Sequence, residues 1–335
     1  MQTEVSTPPT GVRAIPSEAK NVGVRGPLPR VDVPAGAAKR HILWPYVIGV
    51  GVYHAVALLA FVPWLFSWTG VALAFAGLYV FGTLGINLCY HRLLTHGSLV
   101  CPKWFEHCLA TLGVCCLQDT PGRWVAVHRM HHQYSDEQPD PHTPLVNFLW
   151  SHMGWLFVEN EDVNSIATYD RYARDILRDP FYFRLERNLN WLWIVIASWG
   201  VFFAGGSLAG YLMTGTTAGA LQFGASVLLW GVFVRTVAVW HITWSVNSLS
   251  HVFGYQTYDT GEDSRNNWFV GLISNGEGWH NNHHADQRSA AHGHRWWELD
   301  VTYLTIRLFK AVGLAKEVIL PNSRTLDRAL IDGQQ

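Results

Sequence analysis

The sequence predicts an all-α integral membrane protein. Four transmembrane helices form two hairpins, and a cytosolic helical cap carries a histidine-rich di-metal site. Three observations lead there. Residues 41–90 and 188–234 hold no Asp, Glu, Lys or Arg. The polar sequence after each of these stretches carries histidines at ligand-like spacing. Neither predicted hairpin turn is charged, and the Lys and Arg outside the spans fall in three polar segments.

Composition sets the bounds. The 335 residues carry a formal net charge of −1, which gives no reason to expect a nucleic-acid partner. Charged residues make up 15%, below the usual quarter, so much of the surface must face something other than water. The five cysteines, Cys89, Cys101, Cys108, Cys115 and Cys116, form no CxxC motif and read as buried free thiols.

Residues 1–40, rich in Pro, Gly and Ala without an apolar period, read as a disordered cytosolic tail. They lack the short apolar core of a signal peptide. The membrane domain is expected over 41–312 and a C-terminal tail over 313–335. The first charge-free stretch is long enough for two spans of about 20 residues each. They are placed near 43–66 and 70–90, with Ser67-Trp68-Thr69-Gly70 as the turn. A buried soluble hairpin is the competing reading, but soluble helices rarely run so far without charge. Residues 91–187 are polar and mixed, and Leu99–Leu117 is apolar enough for an interfacial helix. The second stretch gives spans near 191–213 and 217–240, joined by Thr214-Gly215-Thr216. Arg235 and His241 fall within or at the end of the fourth apolar run, where a charge must face protein or the interface. Further on, Val301–Val312 is amphipathic and reads as packed on the cap or the membrane surface. The positive-inside rule places both termini and all histidine clusters in the cytoplasm.

His128, His131 and His132 stand at i, i+3 and i+4, as do His280, His283 and His284. On a helix these offsets fall within about 100° of one another, so each triplet makes a metal-binding surface. His91 and His96 are five apart, about 140° on a continuous α-helix, so they share one ion only if the helix ends or bends between them. Eight histidines exceed the four ligands of one tetrahedral zinc and suit two ions. Imidazole alone does not choose among Zn, Cu, Fe and Ni. Asp140 or His142 is a candidate to orient a ligand imidazole from behind, with a plain loop as the equal alternative. Asn247 and His251 are four apart and share a helix face.

HRLLTH at 91–96, HRMHH at 128–132, NSLSH at 247–251 and GEGWHNNHH at 276–284, with four intervening spans, resemble the membrane-bound fatty acid desaturases of the Δ9 type. The resemblance covers roughly residues 42–312. It implies two iron ions held by His91, His96, His128, His131, His132, His251, His280, His283 and His284, with Asn247 acting through a water. His251 enters only through the resemblance. The implied reaction removes two hydrogens from neighbouring methylenes of a saturated acyl chain, with O2 as co-substrate and two electrons from an external donor of ferredoxin or cytochrome b5 type. No haem-binding cytochrome segment is expected in the chain.

The substrate is expected to be a fatty acyl-CoA or an acyl-lipid, drawn from the membrane lipid phase. Animal acyl-CoA enzymes of the family carry charges where this chain has Val125-Ala126-Val127, which leaves room for a lipid-linked or differently recognised acyl donor. Trp124 and Trp244 match aromatic positions beside the family's acyl channel, with interfacial or core tryptophan as the equal alternative. Phe75 and Tyr79, one turn apart on the second span, are candidates to close its far end; simple helix packing is the alternative. The rival functions are a membrane di-iron hydroxylase, a membrane metal transporter or sensor, and a zinc-bound scaffold. A transporter predicts ligands along a path inside the spans rather than at their ends.

Overall fold

The computed structural model describes residues 29–331. Among them there is no strand, only isolated bridges between loops. Four helices are long and apolar enough to cross a membrane: Trp44–Phe61, Trp68–Thr95, Asn190–Thr214 and Thr217–Val252.

The first comprises α1 (Trp44–Ala57) and a tight last turn to Phe61, and is shorter than the expected 43–66. Pro45 in its first turn loses no helical hydrogen bond there. The second begins as α2 (Trp68–Gly77), capped by Ser67, whose hydroxyl accepts from Gly70 N at 2.9 Å. It continues with i→i+5 hydrogen bonding over Leu78–Thr95, past the expected end at 90. The cap follows with α3 (Lys103–Val114), α4 (Pro121–Tyr134), α5 (Phe148–His152) and the short helices α6 (Glu161–Asn164), α7 (Ile166–Tyr172), α8 (Arg174–Leu177) and α9 (Pro180–Leu185).

The third span, α10 (Asn190–Thr214), turns through Gly215 at φ 65° into α11 (Thr217–Leu228), capped by Thr216. This hairpin packs backbone to backbone: a Cβ on Gly210 would lie 2.5 Å from Gly219 O. Small residues permit that approach where no hydrophobic effect drives helices together. After a wide turn at Leu229–Val234 the same span continues as α12 (Arg235–Val252), twelve residues beyond the expected end at 240. The rest comprises α13 (Trp268–Ile273), α14 (His280–Ala285), α15 (Val301–Ala311) and α16 (Ser323–Ala329).

Two hairpins of two spans put every polar segment at one end of the bundle. The second and fourth spans have 28 and 36 residues. At 1.5 Å per residue they exceed a bilayer core of about 30 Å, so they project into the cap and carry His91 and His251 with them. Large apolar side chains face outward from the spans, among them Phe61, Trp68, Val201 and Leu212, as a lipid-facing surface requires.

Arg235, inside the fourth span, is fully buried. It donates to Gly231 O (3.1 Å) and Cys115 O (3.3 Å), and its guanidinium lies 3.9 Å over the Phe81 ring. Protein thus replaces the water that a charge at this depth lacks. His241 sits between two other imidazoles, with His54 Nε2 and His152 Nε2 each 3.0 Å from its ring nitrogens.

The tail expected to be disordered over 1–40 needs correction over 29–40. Val31 N donates to Leu145 O, Gly36 N donates to Asp162 at 3.0 Å and Ala37 is fully buried. Local composition carries no trace of these long-range partners. The remainder of that tail lies outside the described residues. At the other end, Lys316 pairs with Val100 and Leu330 with Tyr258, so the segment after 312 is docked too. The amphipathic α15 packs against the second span, where the Tyr79 and Thr305 hydroxyls lie 2.8 Å apart.

Candidate metal centre

The wide winding of the second span settles how His91 and His96 meet. His96 N donates to His91 O at 3.2 Å, so the i and i+5 positions are stacked and the two ring centroids lie 4.8 Å apart. Continuous α geometry would have held them apart.

The nine candidate histidines fall into two buried or half-buried groups. One holds His91, His96, His128, His132 and His283; the other holds His131, His251, His280 and His284. Within each group the ligand nitrogens all lie within 4.8 Å of one another. Neither triplet serves a single ion as one surface. On α4 the i, i+4 pair His128 and His132 joins the five-histidine group, and His131 turns to the other. On α14 the assignment is reversed: His280 and His284 enter the four-histidine group, and His283 crosses to the first. The two helices therefore interlock the sites.

In the five-histidine group the Nε2 atoms of His91 and His283, His283 and His132, and His132 and His128 are 3.1, 3.0 and 3.0 Å apart. In the other, His251 and His280 Nε2 are 3.0 Å apart. Carboxylates stand behind four of the rings. His91 Nδ1 is 2.5 Å from Glu277 Oε2, His131 Nδ1 2.9 Å from Asp140 Oδ2, His251 Nδ1 3.0 Å from Asp136 Oδ2, and His284 Nδ1 3.3 Å from Glu262 Oε1. Such a carboxylate holds the proton on Nδ1 and leaves the Nε2 lone pair free.

Burial pushes His96, His128, His132, His280 and His283 well below the usual imidazole range, so these rings are neutral at pH 7. Burial would raise the Asp140 carboxyl, but His131 beside it holds it down to about 2. Neutral rings this close either share one Nε2–H or turn their lone pairs to a cation between them. Two nitrogens bound at right angles to one ion at about 2.0–2.1 Å would stand about 3 Å apart. The donor set therefore fits metal ions.

Arg92 ties the end of the second span to the third histidine box. It is fully buried, donates to Glu277 Oε1 (2.7 Å) and pairs with Asp300 (2.9 Å). Gly278 is obligatory in that box, because a Cβ there would collide with the backbone of Gly271.

Between α1, the second span, α4 and α12 lies a cavity that reaches both groups at His91, His128 and His280. Its wall is largely apolar and aromatic and includes Val50, Ile86, Leu156 and Trp240. Trp124 and Trp244 line it, and Trp124 stacks on His128 at 4.9 Å. Asn247, one turn before His251, lines it as well. Gln118 donates to Thr243 Oγ1 at 2.9 Å across one wall, and Tyr46 donates to Asp119 nearby.

Phe75 and Tyr79 lie elsewhere, which corrects the expectation that they close its end. Phe75 is 69% exposed on the outer face of the span, and Tyr79 turns to Thr305. The widened winding begins at Leu78, between the two, so they do not share one α-helical face as their four-residue spacing suggests.

Spacing did not single out Asp136, Glu262 or His292, which stand around the rings. The carboxylates come from distant loops and have no periodic relation to the ligands. His292 belongs to His292-Gly293-His294, which has no ligand spacing, yet its ring is buried 4.3 Å from that of His283.

Comparison with known proteins agrees with this geometry. The sequence profile of the family described as fatty acid desaturase matches residues 63–307. The chain is 42% identical to an sn-1 stearoyl-lipid 9-desaturase of Synechocystis, over 83% of this chain and 80% of that protein. It is 41% identical to an sn-2 palmitoyl-lipid 9-desaturase of Nostoc, over 82% and 90%. With an acyl-CoA 5-desaturase of Anemone leveillei it shares 38% identity, over 88% of each chain.

Proposed function

The chain belongs to the fatty acid desaturase family, and from that premise we propose that it is a Δ9 acyl-lipid desaturase with two iron ions. The observation that carries the reading is the pair of imidazole clusters beside a largely apolar cavity. His91, His96, His128, His132 and His283 would hold one iron; His131, His251, His280 and His284 would hold the other, with Asn247 acting through a water.

When bound, the irons supply the redox chemistry with O2 that an unactivated C–H bond requires. In balance, –CH2–CH2– with O2, two electrons and two protons gives –CH=CH– and two waters. The electrons come from an external donor of ferredoxin or cytochrome b5 type. The residues of the chain orient the substrate and exclude water. Trp124, stacked on His128, and Trp244 press the acyl chain against the imidazole clusters.

The names of the 9-desaturase relatives support carbons 9 and 10 as the position, and those acting on stearoyl- or palmitoyl-lipid support a lipid rather than CoA donor. The uncharged Val125-Ala126-Val127 agrees with that choice. The charge distribution favours a cytosolic cap.

Expression in a host that makes no unsaturated fatty acids, followed by lipid analysis, tests the proposal. The expected product has lost two hydrogens at carbons 9 and 10, and His283→Ala abolishes it. A product that gains one oxygen indicates a hydroxylase instead.

A further inference from the structure

We propose that His292 is a positioning residue of the five-histidine site that acts through Glu277; the assignment rests on the two-ion reading above. His292 is 1% exposed, and neither of its ring nitrogens has a hydrogen-bond partner. Its Nδ1 is 3.5 Å from Glu277 Oε2, the oxygen that also takes the Nδ1 proton of His91. Its ring lies against His283, at 4.3 Å between centroids and 31° between planes. The backbone around it is pinned to the third box. His292 N donates to Asp300 Oδ2 (2.7 Å), and Asn282 Nδ2 donates to His292 O (2.9 Å).

The four-histidine site explains why such a residue is required. Each carboxylate there is fixed by backbone N–H donors. Asp136 takes Asp263 N at 2.9 Å, Asp140 takes Asp136 N at 3.0 Å and His142 N at 3.1 Å, and Glu262 takes Ser264 N at 2.7 Å. Among the described residues Glu277 has no backbone donor. Arg92 holds its Oε1, while Oε2 faces only His91 and His292. His292 stands where the backbone amides stand in the other site. An Nδ1–H on His292 would donate to Oε2 in the loaded site, which would keep the His91 proton on Nδ1 and its Nε2 toward the ion. Hydrogen bonds of this kind tighten on loading of a site.

The test is cobalt(II) binding to the full-length, metal-stripped protein in detergent, followed by the visible spectrum and by metal content. In His292→Leu, one of two cobalt ions is expected to bind about 10- to 100-fold more weakly, and the other as before. The weakened ion should be the one that His96→Ala eliminates. His292→Gln, whose amide can still donate to Glu277, should restore most of the affinity. The assignment is overturned if both ions bind His292→Leu normally, if both weaken together, or if the weakened ion is the one lost in His280→Ala. A chain without substitutions that takes up fewer than two ions overturns the two-ion reading, and this assignment with it.

Discussion

Replacing Asp140 with asparagine changes one atom and should loosen one metal ion. Asp140 is fully buried, and every group around its carboxylate is a donor. Oδ2 faces His131 Nδ1 at 2.9 Å and Asp136 N at 3.0 Å, and Oδ1 faces His142 N at 3.1 Å. An ionised carboxylate accepts from all three; an amide has one accepting oxygen and an NH2 that must donate. Whichever way the substituted amide turns, its NH2 meets an N–H. If it meets His131, the ring proton is driven from Nδ1 to Nε2 and the lone pair facing the ion is lost. Substitutions behind a metal-bound imidazole cost about 10- to 100-fold in affinity, which is about 1.4–2.8 kcal/mol. Titration of the metal-free protein with iron(II) or cobalt(II) measures this. One ion should weaken by that factor while the five-histidine ion is unchanged. Equal affinity for both ions in Asp140→Asn would refute the orienting role.

Acid should destabilise the metal-free protein. Burial depresses His96, His128, His132, His280 and His283, so below the ordinary histidine pKa of about 6.5 the unfolded chain takes up protons that the folded chain refuses. Their contribution is complete above that pH and falls as pH drops, by up to about 1.4 kcal/mol per pH unit for each ring, and unfolding midpoints between about pH 7.5 and 5 measure it. Arg92→Met leaves Glu277 and Asp300 buried without their cation and should cost about 3–5 kcal/mol in a denaturant melt; a change below about 1 kcal/mol would remove the proposed tie between the second span and the third box. Tyr79→Ala should leave the lengths of desaturated chains unchanged, whereas Val50→Trp, which fills the cavity, should lower turnover at least tenfold with the metal content intact. Product chromatography with iron analysis separates these two outcomes.

The four spans were legible because a chain crossing lipid must avoid charge for about 20 residues at a time, and two stretches of this sequence do so. Their ends were less legible. His91 and His251 sit on helices that leave the bilayer without breaking, so hydropathy stops before the helix does. The two histidine triplets at helical spacing, with the His91–His96 pair, announced metal binding, but their division between ions did not follow from spacing. A triplet at i, i+3, i+4 spans enough of the helix to face two neighbours, and α4 and α14 use it in opposite senses. Asp140, with His142, was a candidate from the turn at residues 138–142, a plain loop being the equal alternative, and its contact with His131 decides between them. Asp136, Glu262 and His292 reach the rings only through the packing of distant loops.

The anomalous scattering of iron, measured from crystals of the iron-loaded protein, tests the central claim most directly. The account predicts two peaks, one among His91, His96, His128, His132 and His283 and one among His131, His251, His280 and His284. A single peak shared by all nine rings, or iron held outside both clusters, would contradict it.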